Sequence, residues 1–279
     1  MNADLGGFRD QDLNHDGRGA ARYVGVSMRE VGDQAPGDVR LHGSARLVPS
    51  IMDESGEGVL AGALLTMCDN VGGFCGGLAS LPDGWVVTTN LMMQRTRVAT
   101  QGETLHFVSS VLRRGRAAVV TDVQATDEAG VVAVATVTSA VLVPAAGVPQ
   151  WERPAAIDDD GRDPLPRAPF YKWLGFEQSA GVITMEITDA VRNPWGFVHG
   201  GVTASLIDAA AMAVSGDGVL LDATVHYVAP SRQGPLVAAG DHLGATSAGD
   251  VVRVEVRDTA ADRTTAVAIV TVGSALGLA

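Results

Sequence analysis

Two stretches of the chain are apolar at nearly every position and crowded with small residues. They are "VLAGALLTMCDNVGG" (59–73) and "VHGGVTASLIDAAAM" (198–212). A helix that is small and apolar all round has no face for solvent, so each predicts a long helix buried inside something else. Each is followed by Val/Thr-rich runs of strand character, first "VVTTNLMMQR" (86–95) and "LLDATVHYVA" (220–229). Polar turns at Asp127 to Gly130 and Ala260 to Arg263 divide the last two strands of each set. The longest uncharged run, "GVVAVATVTSAVLVPAAGV" from Gly130, has the length of a membrane span. Its Val/Thr density and Pro144 instead predict a buried strand that ends in a turn.

The two sets are an internal repeat. Gly62 aligns with Gly201 and Asp69 with Asp208, and both sets reach a Gln-Gly pair, Gln101-Gly102 and Gln233-Gly234. Between them, Pro144, Pro149, Pro154, Pro164, Pro166 and Pro169 rule out a regular helix or a central strand. The organisation expected is a flexible tail over 1–21, a first domain over 22–143, a Pro-rich linker over 144–169 and a second domain over 170–279. Each domain reads as a leading strand, one long helix and about four antiparallel strands. The sheet curls round the helix, an α+β fold duplicated into an intrachain pseudo-dimer.

Composition narrows the chemistry. With 279 residues and 46% hydrophobic content the chain can bury a large core, and a net charge of -12 argues against a nucleic-acid partner. Cys68 and Cys75 form no disulfide framework, which suits a reducing cytoplasm, and the acidic N-terminus lacks a signal peptide's apolar core. Asp12, Asn14, Asp16 and Gly17 imitate the first half of a calcium loop, but its twelfth position is Tyr23 rather than a bidentate Glu. The six histidines show no metal-ligand spacing, so no metal is expected.

"NPWGFVHGG" (193–201) stands at the mouth of the second helix, with Asp208 nine residues past His199. Taken singly, His199 is a capping histidine and Asn193 a turn residue. Together, Asn193, His199, Gly200, Gly201 and Asp208 resemble the motif of the PaaI-type hotdog-fold acyl-CoA thioesterases. The strand "ATVHYVAPSRQG" is similar to the one that follows in that family. In the first half the pattern keeps Gly62 and Asp69 but has Leu60 and Ala61 where His-Gly would stand. The resemblance implies a double hotdog with one degenerate half, and hydrolysis of an acyl-CoA thioester without metal or redox cofactor.

Helical geometry separates His199 from Asp208. Nine residues turn a helix through about 900 degrees, half a turn out of register, and rise roughly 13.5 Å. Each must work with a residue of the other half, which gives two unlike clefts. The first would join Asn193, His199 and Gly200 to Asp69; the second would leave Asp208 with Leu60 and Ala61. The resemblance also implies a hydroxyl near the carboxylate, which falls on Thr88, whereas the matching position in the other half is Leu220. In the first cleft the Gly200 N–H and the Asn193 amide would face the developing oxyanion, and Asp69 would serve as base or nucleophile.

Gly201 would line the substrate, and Arg113, Arg114 and Arg116 would meet the phosphates of coenzyme A, with Arg95 and Arg97 sharing a nearby strand face. Met67, Phe74, Met92 and Trp195 are candidates for the acyl tunnel. The resemblance further implies association into a homo-oligomer, a dimer or trimer of double hotdogs. Two other readings stay open: an acyl-CoA-binding protein whose site has decayed, and a hotdog hydratase or dehydratase, which would want an Asp-x4-His pair that neither Asp69 nor Asp208 has.

Overall fold

The repeated pattern folds into two copies of one unit. The computed structural model describes residues 19–31, 39–53, 55–82, 84–142, 156–157, 168–193, 195–216 and 218–274. The first unit comprises α1 (Ala20–Tyr23), β1 (Ser27–Val31), β2 (Arg40–Arg46), α2 (Ala61–Ser80), β3 (Trp85–Arg95), β4 (Thr104–Arg114), β5 (Ala118–Asp127) and β6 (Gly130–Leu142). A two-residue strand, β7 (Ala156–Ile157), follows. The second unit repeats the order: α3 (Phe170–Trp173), β8 (Glu177–Ser179), β9 (Val182–Met185), α4 (Gly200–Ser215), β10 (Val219–Tyr227), β11 (Leu236–Ala245), β12 (Asp250–Asp258) and β13 (Arg263–Gly273).

All of these strands form one antiparallel sheet of 13, in the order β7-β1-β2-β4-β5-β6-β3-β10-β13-β12-β11-β9-β8. The order reads the same outward from the β3–β10 seam in both directions, apart from the extra β7 at one edge. At the seam Met92 pairs with Thr224 and Leu91 with Val225. A register shift lies between Thr88 and Asn90 where β3 meets β6, and its counterpart lies between Leu220 and Asp222 where β10 meets β13. Such a bulge re-aims the residue beside it. Here that residue is Thr88 in one unit and Leu220 in the other.

The sheet shelters the two long helices, as their composition requires. Leu64, Leu65, Met67 and Cys68 of α2 and Leu206 and Ile207 of α4 are fully buried. The helices also press on each other. A Cβ on Gly201 would lie 2.5 Å from the Cα of Thr66, and one on Gly62 would lie 3.0 Å from the Cα of Ser205. The Thr66 and Ser205 hydroxyls meet at this crossing, 3.0 Å apart. Glycine is therefore demanded by close backbone approach. In β6, Ala135, Val137 and Ser139 are buried while Val134 is exposed, the alternation of a strand with one covered face.

Two expectations change. Two strands, rather than one, precede each long helix, and the extra one in the second unit, β8, is exposed at all three positions and so leaves no alternating signal. The tail boundary at 21 moves, since Ala20–Tyr23 form a helix. In the linker, Ala156 and Ile157 pair with β1 at the sheet edge; the calcium-like residues Asp12, Asn14, Asp16 and Gly17 and most of the linker lie outside the described residues. No helix among the described residues is long and apolar enough to cross a membrane.

Candidate active site

The Asp69 carboxylate lies in the middle of α2, 4% exposed, and receives groups from both units. The Thr88 hydroxyl donates to its Oδ1 at 2.8 Å, and the backbone N–H of Gly201 donates to its Oδ2 at 2.7 Å. His199 Nδ1 stands 3.3 Å from the same Oδ2. Nδ1 is also 3.1 Å from the Gly201 nitrogen. The Gly201 N–H is thus shared, donating to Asp69 Oδ2 at the shorter distance and to His199 Nδ1 at the longer. The structure thus brings Asp69, Thr88, His199, Gly200 and Gly201 together, and keeps Asp208 apart.

Local sequence explains the entrance. His199 is the N-cap of α4, and the backbone N–H groups of Val202 and Thr203 return to its carbonyl. Gly200 presses directly on the carboxylate: a Cβ there would lie 2.8 Å from Asp69 Oδ2. Its own N–H makes no hydrogen bond among the described residues. An orphan N–H at a helix N-terminus is a preformed anion donor. The Tyr227 hydroxyl ties β10 to this turn by donating to the Gly200 carbonyl at 2.8 Å. Burial, and next the charge of Asp69, hold that phenol well above its ordinary pKa.

The Asn193 side chain also braces its own loop. Its side-chain oxygen accepts the N–H groups of Trp195 and Phe197, at 3.0 and 3.1 Å, and its own N–H donates to the Phe197 carbonyl at 2.7 Å. The carboxamide oxygen therefore closes the loop that delivers His199. Trp195 of the same loop meets Trp85 of the first unit edge-on, with ring centroids 4.5 Å apart.

The second cleft repeats the frame with different contents. The Gly62 N–H donates to Asp208 Oδ2 at 2.9 Å, the counterpart of the Gly201–Asp69 bond. Tyr171 also donates its hydroxyl to that oxygen, while Oδ1 is buried with no hydrogen-bond partner among the described residues. Burial raises the Asp208 carboxyl above its ordinary pKa, against the opposing pull of Tyr171, Gly62 and Arg95. Burial likewise lowers the guanidinium of Arg95, with Asp208 opposing. Leu60 and Ala61 offer no side-chain donor, and Leu220 is fully buried where Thr88 stands in the first cleft.

Several substrate contacts need correction. Arg95 is 5% exposed and donates to the Val59 carbonyl at 2.9 Å and the Arg97 carbonyl at 3.2 Å, so it is a core residue of the second cleft. Arg97 lies beyond β3 and pairs with Asp127. Met67 is fully buried and Met92 is 47% exposed on the opposite face, so neither has the setting of a tunnel wall. Phe74 is half-buried against the core. Arg113, Arg114 and Arg116 are exposed at the β4–β5 turn. Register places them: Thr88, Ser139, Val119 and Arg114 are successive partners across β3, β6, β5 and β4. Three strand spacings make that roughly 14 Å. Cys68 is sealed in the core, its thiol pushed up to about 12 by burial and then by Asp69. No group of three or more His, Cys, Asp or Glu suited to a metal occurs among the described residues.

Sequence reasoning missed Tyr171, Tyr227 and the buried part of Arg95. A tyrosine in a four-residue helix and one at a strand end carry no motif; only the fold brings them to the carboxylates.

Comparison with known proteins agrees with this architecture. Residues 58–134, which include Asp69 and Thr88, match the family model of the thioesterase superfamily. The chain is similar to the acyl-ACP thioesterase of Bacteroides thetaiotaomicron, at 15% identity and a TM-score of 0.57, over 83% of this chain and 96% of that one. It is also similar to the 12:0-ACP thioesterase of Umbellularia californica, at 11% identity and a TM-score of 0.59, over 84% and 93% of the two chains. Among curated proteins, none matches the chain significantly. The fold is the α+β hotdog fold. The similarity to the thioesterase superfamily is confined to the helix and strands that hold Asp69 and Thr88.

Proposed function

We propose that the protein hydrolyses an acyl-CoA thioester to the free acid and coenzyme A in the cleft between the two units, with Asp69 as its base or nucleophile. The observation that carries this is the convergence on one buried carboxylate of Thr88 from its own unit and His199 and Gly201 from the other. Attack on a thioester carbonyl builds negative charge on its oxygen, and the unpaired Gly200 N–H at the start of α4 is the donor placed to meet it. Asp69 then takes the proton of an attacking water, or attacks the carbonyl carbon and expels the coenzyme A thiolate to form an anhydride that water opens. Thr88 and His199 hold the carboxylate oriented in either route. Asn193 builds the loop that brings His199 into place.

The exposed Arg113, Arg114 and Arg116 are proposed contacts for the coenzyme's phosphates, at a lateral distance that a pantetheine arm would bridge. A PaaI-like subtype, a cytoplasmic setting and further association of the double unit through its outer sheet face belong to the same reading.

The test is release of free thiol from a panel of acyl-CoA esters by wild type, Asp69→Ala and Asp208→Ala. Turnover by wild type and Asp208→Ala, with none by Asp69→Ala, is expected. The reverse pattern of the two variants would move the site to the other cleft. Tight acyl-CoA binding with no turnover at any chain length would make the protein a carrier.

A further inference from the structure

The short helices that open the two units correspond residue by residue. Each has four residues, each is followed by a right-handed residue (Val24, Leu174), and each then turns on a glycine of positive φ, Gly25 at 69° and Gly175 at 73°. This correspondence sets Ala21 against Tyr171. The two residues have unlike surroundings to fill. Tyr171 lays its hydroxyl on the Asp208 carboxylate of its own unit and packs over Gly62 of the other, where even a Cβ would collide with the phenol oxygen. In the first cleft the matching carboxylate is Asp69 and the matching glycine is Gly201, but the matching side chain is a single, half-buried methyl group.

We propose that Ala21 is a specificity-determining residue: it keeps open, in the first cleft, the substrate path that Tyr171 fills in the second. The proposal rests on the reading of the first cleft as the thioester-hydrolysing site. The phenol oxygen shares Asp208 Oδ2 with the Gly62 N–H, the place that His199 Nδ1 takes beside Gly201 on Asp69 Oδ2, and the ring behind it fills room that the Ala21 methyl leaves to an acyl group in the first cleft. Tyr171 therefore behaves as a built-in ligand of the second cleft, which accounts for a chain with two frames and one usable site. The α1·α2 and α3 contacts keep both short helices on the helix pair, so a larger side chain at 21 points at a defined target.

The test is Ala21→Tyr, read in two ways. In turnover assays the variant is expected to lose about a hundredfold in kcat/KM while its melting temperature stays close to that of wild type. Burial, and next the charge of Asp208, hold the Tyr171 phenol well above its ordinary pKa, and in spectrophotometric titration the introduced phenol is expected to resist ionisation likewise, because it is buried beside Asp69. Unchanged kcat/KM, or an additional phenol ionising near its ordinary pKa of about 10, overturns the proposal. If the tyrosine variant does not fold, Ala21→Val replaces it, with KM raised about threefold at unchanged kcat expected and an unchanged KM overturning. If wild type cleaves no thioester, the functional reading fails by itself, and the titration still decides whether position 21 opens onto Asp69.

Discussion

Gly201 and Asp69 are far apart in the chain, yet the backbone N–H of one lies 2.7 Å from the carboxylate of the other. Gly62 and Asp208 make the reciprocal bond at 2.9 Å. The two carboxylates share a backbone environment and differ in what else reaches them, which makes them a matched pair for mutagenesis.

Asp69→Asn is expected to lower kcat by about a thousandfold or more, since an amide can neither accept a proton from water nor attack a carbonyl. Asp208→Asn should retain wild-type turnover within a small factor. Thiol release under saturating acyl-CoA compares them directly, and equal losses in both would contradict the assignment of a single site.

Thr88 donates to Asp69 Oδ1 at 2.8 Å and should affect kcat rather than KM. Thr88→Val removes the hydroxyl at nearly constant shape, and a fall of roughly ten- to a hundredfold in kcat is expected. Thr88→Ser, which keeps the donor, should recover most of it. A serine variant as poor as the valine one would show that the methyl group, not the hydroxyl, matters.

Adjacent glycines should fail differently. At Gly200 the added Cβ would stand 2.8 Å from Asp69 Oδ2, so Gly200→Ala should lose activity with modest change in stability. At Gly201 it would stand 2.5 Å from a backbone atom of α2, so Gly201→Ala forces the helices apart and should cost about 1–3 kcal/mol or more. Chemical denaturation alongside turnover separates the two effects.

Asp208 makes a prediction for pH. Its folded-state pKa lies above the unfolded value because burial outweighs its donors. The native state then binds the proton more tightly, so this group's stabilising contribution is full below the unfolded pKa and is lost as pH rises through the folded one. Asp208→Asn removes that loss and also gives the unpaired Oδ1 position a donor-bearing replacement. Its melting temperature should exceed that of wild type at neutral pH, with the difference shrinking toward about pH 4. A gap that widens on acidification would reverse the sign.

Much of this arrangement was legible in the chain. The repeat, the buried helices, the α+β class and the turns before Gly130 and Arg263 follow from periodicity and turn chemistry. The helical count that separated His199 from Asp208 turned the search to Asp69, and the resemblance supplied Thr88. What escaped was of two kinds. Polar roles with several equivalent solutions, such as the Asn193 carboxamide oxygen accepting from its own loop, are decided by backbone geometry. Contacts between remote elements, such as Tyr171 on Asp208 or Arg95 in the core, depend on interfaces that no local pattern encodes. The family match falls on the half that lacks His-Gly, since the helix, Asp69 and Thr88 are all there.

The β3–β10 seam joins the two units into one sheet within one polypeptide. The partners of Asp69 are thus tethered at a fixed effective concentration, so dilution cannot separate them as it would the subunits of a dimer. Joining also lets each cleft change without its twin. A substitution in a symmetric dimer is made twice, whereas here Leu60, Ala61 and Tyr171 could settle in one cleft while the other kept its reactive groups.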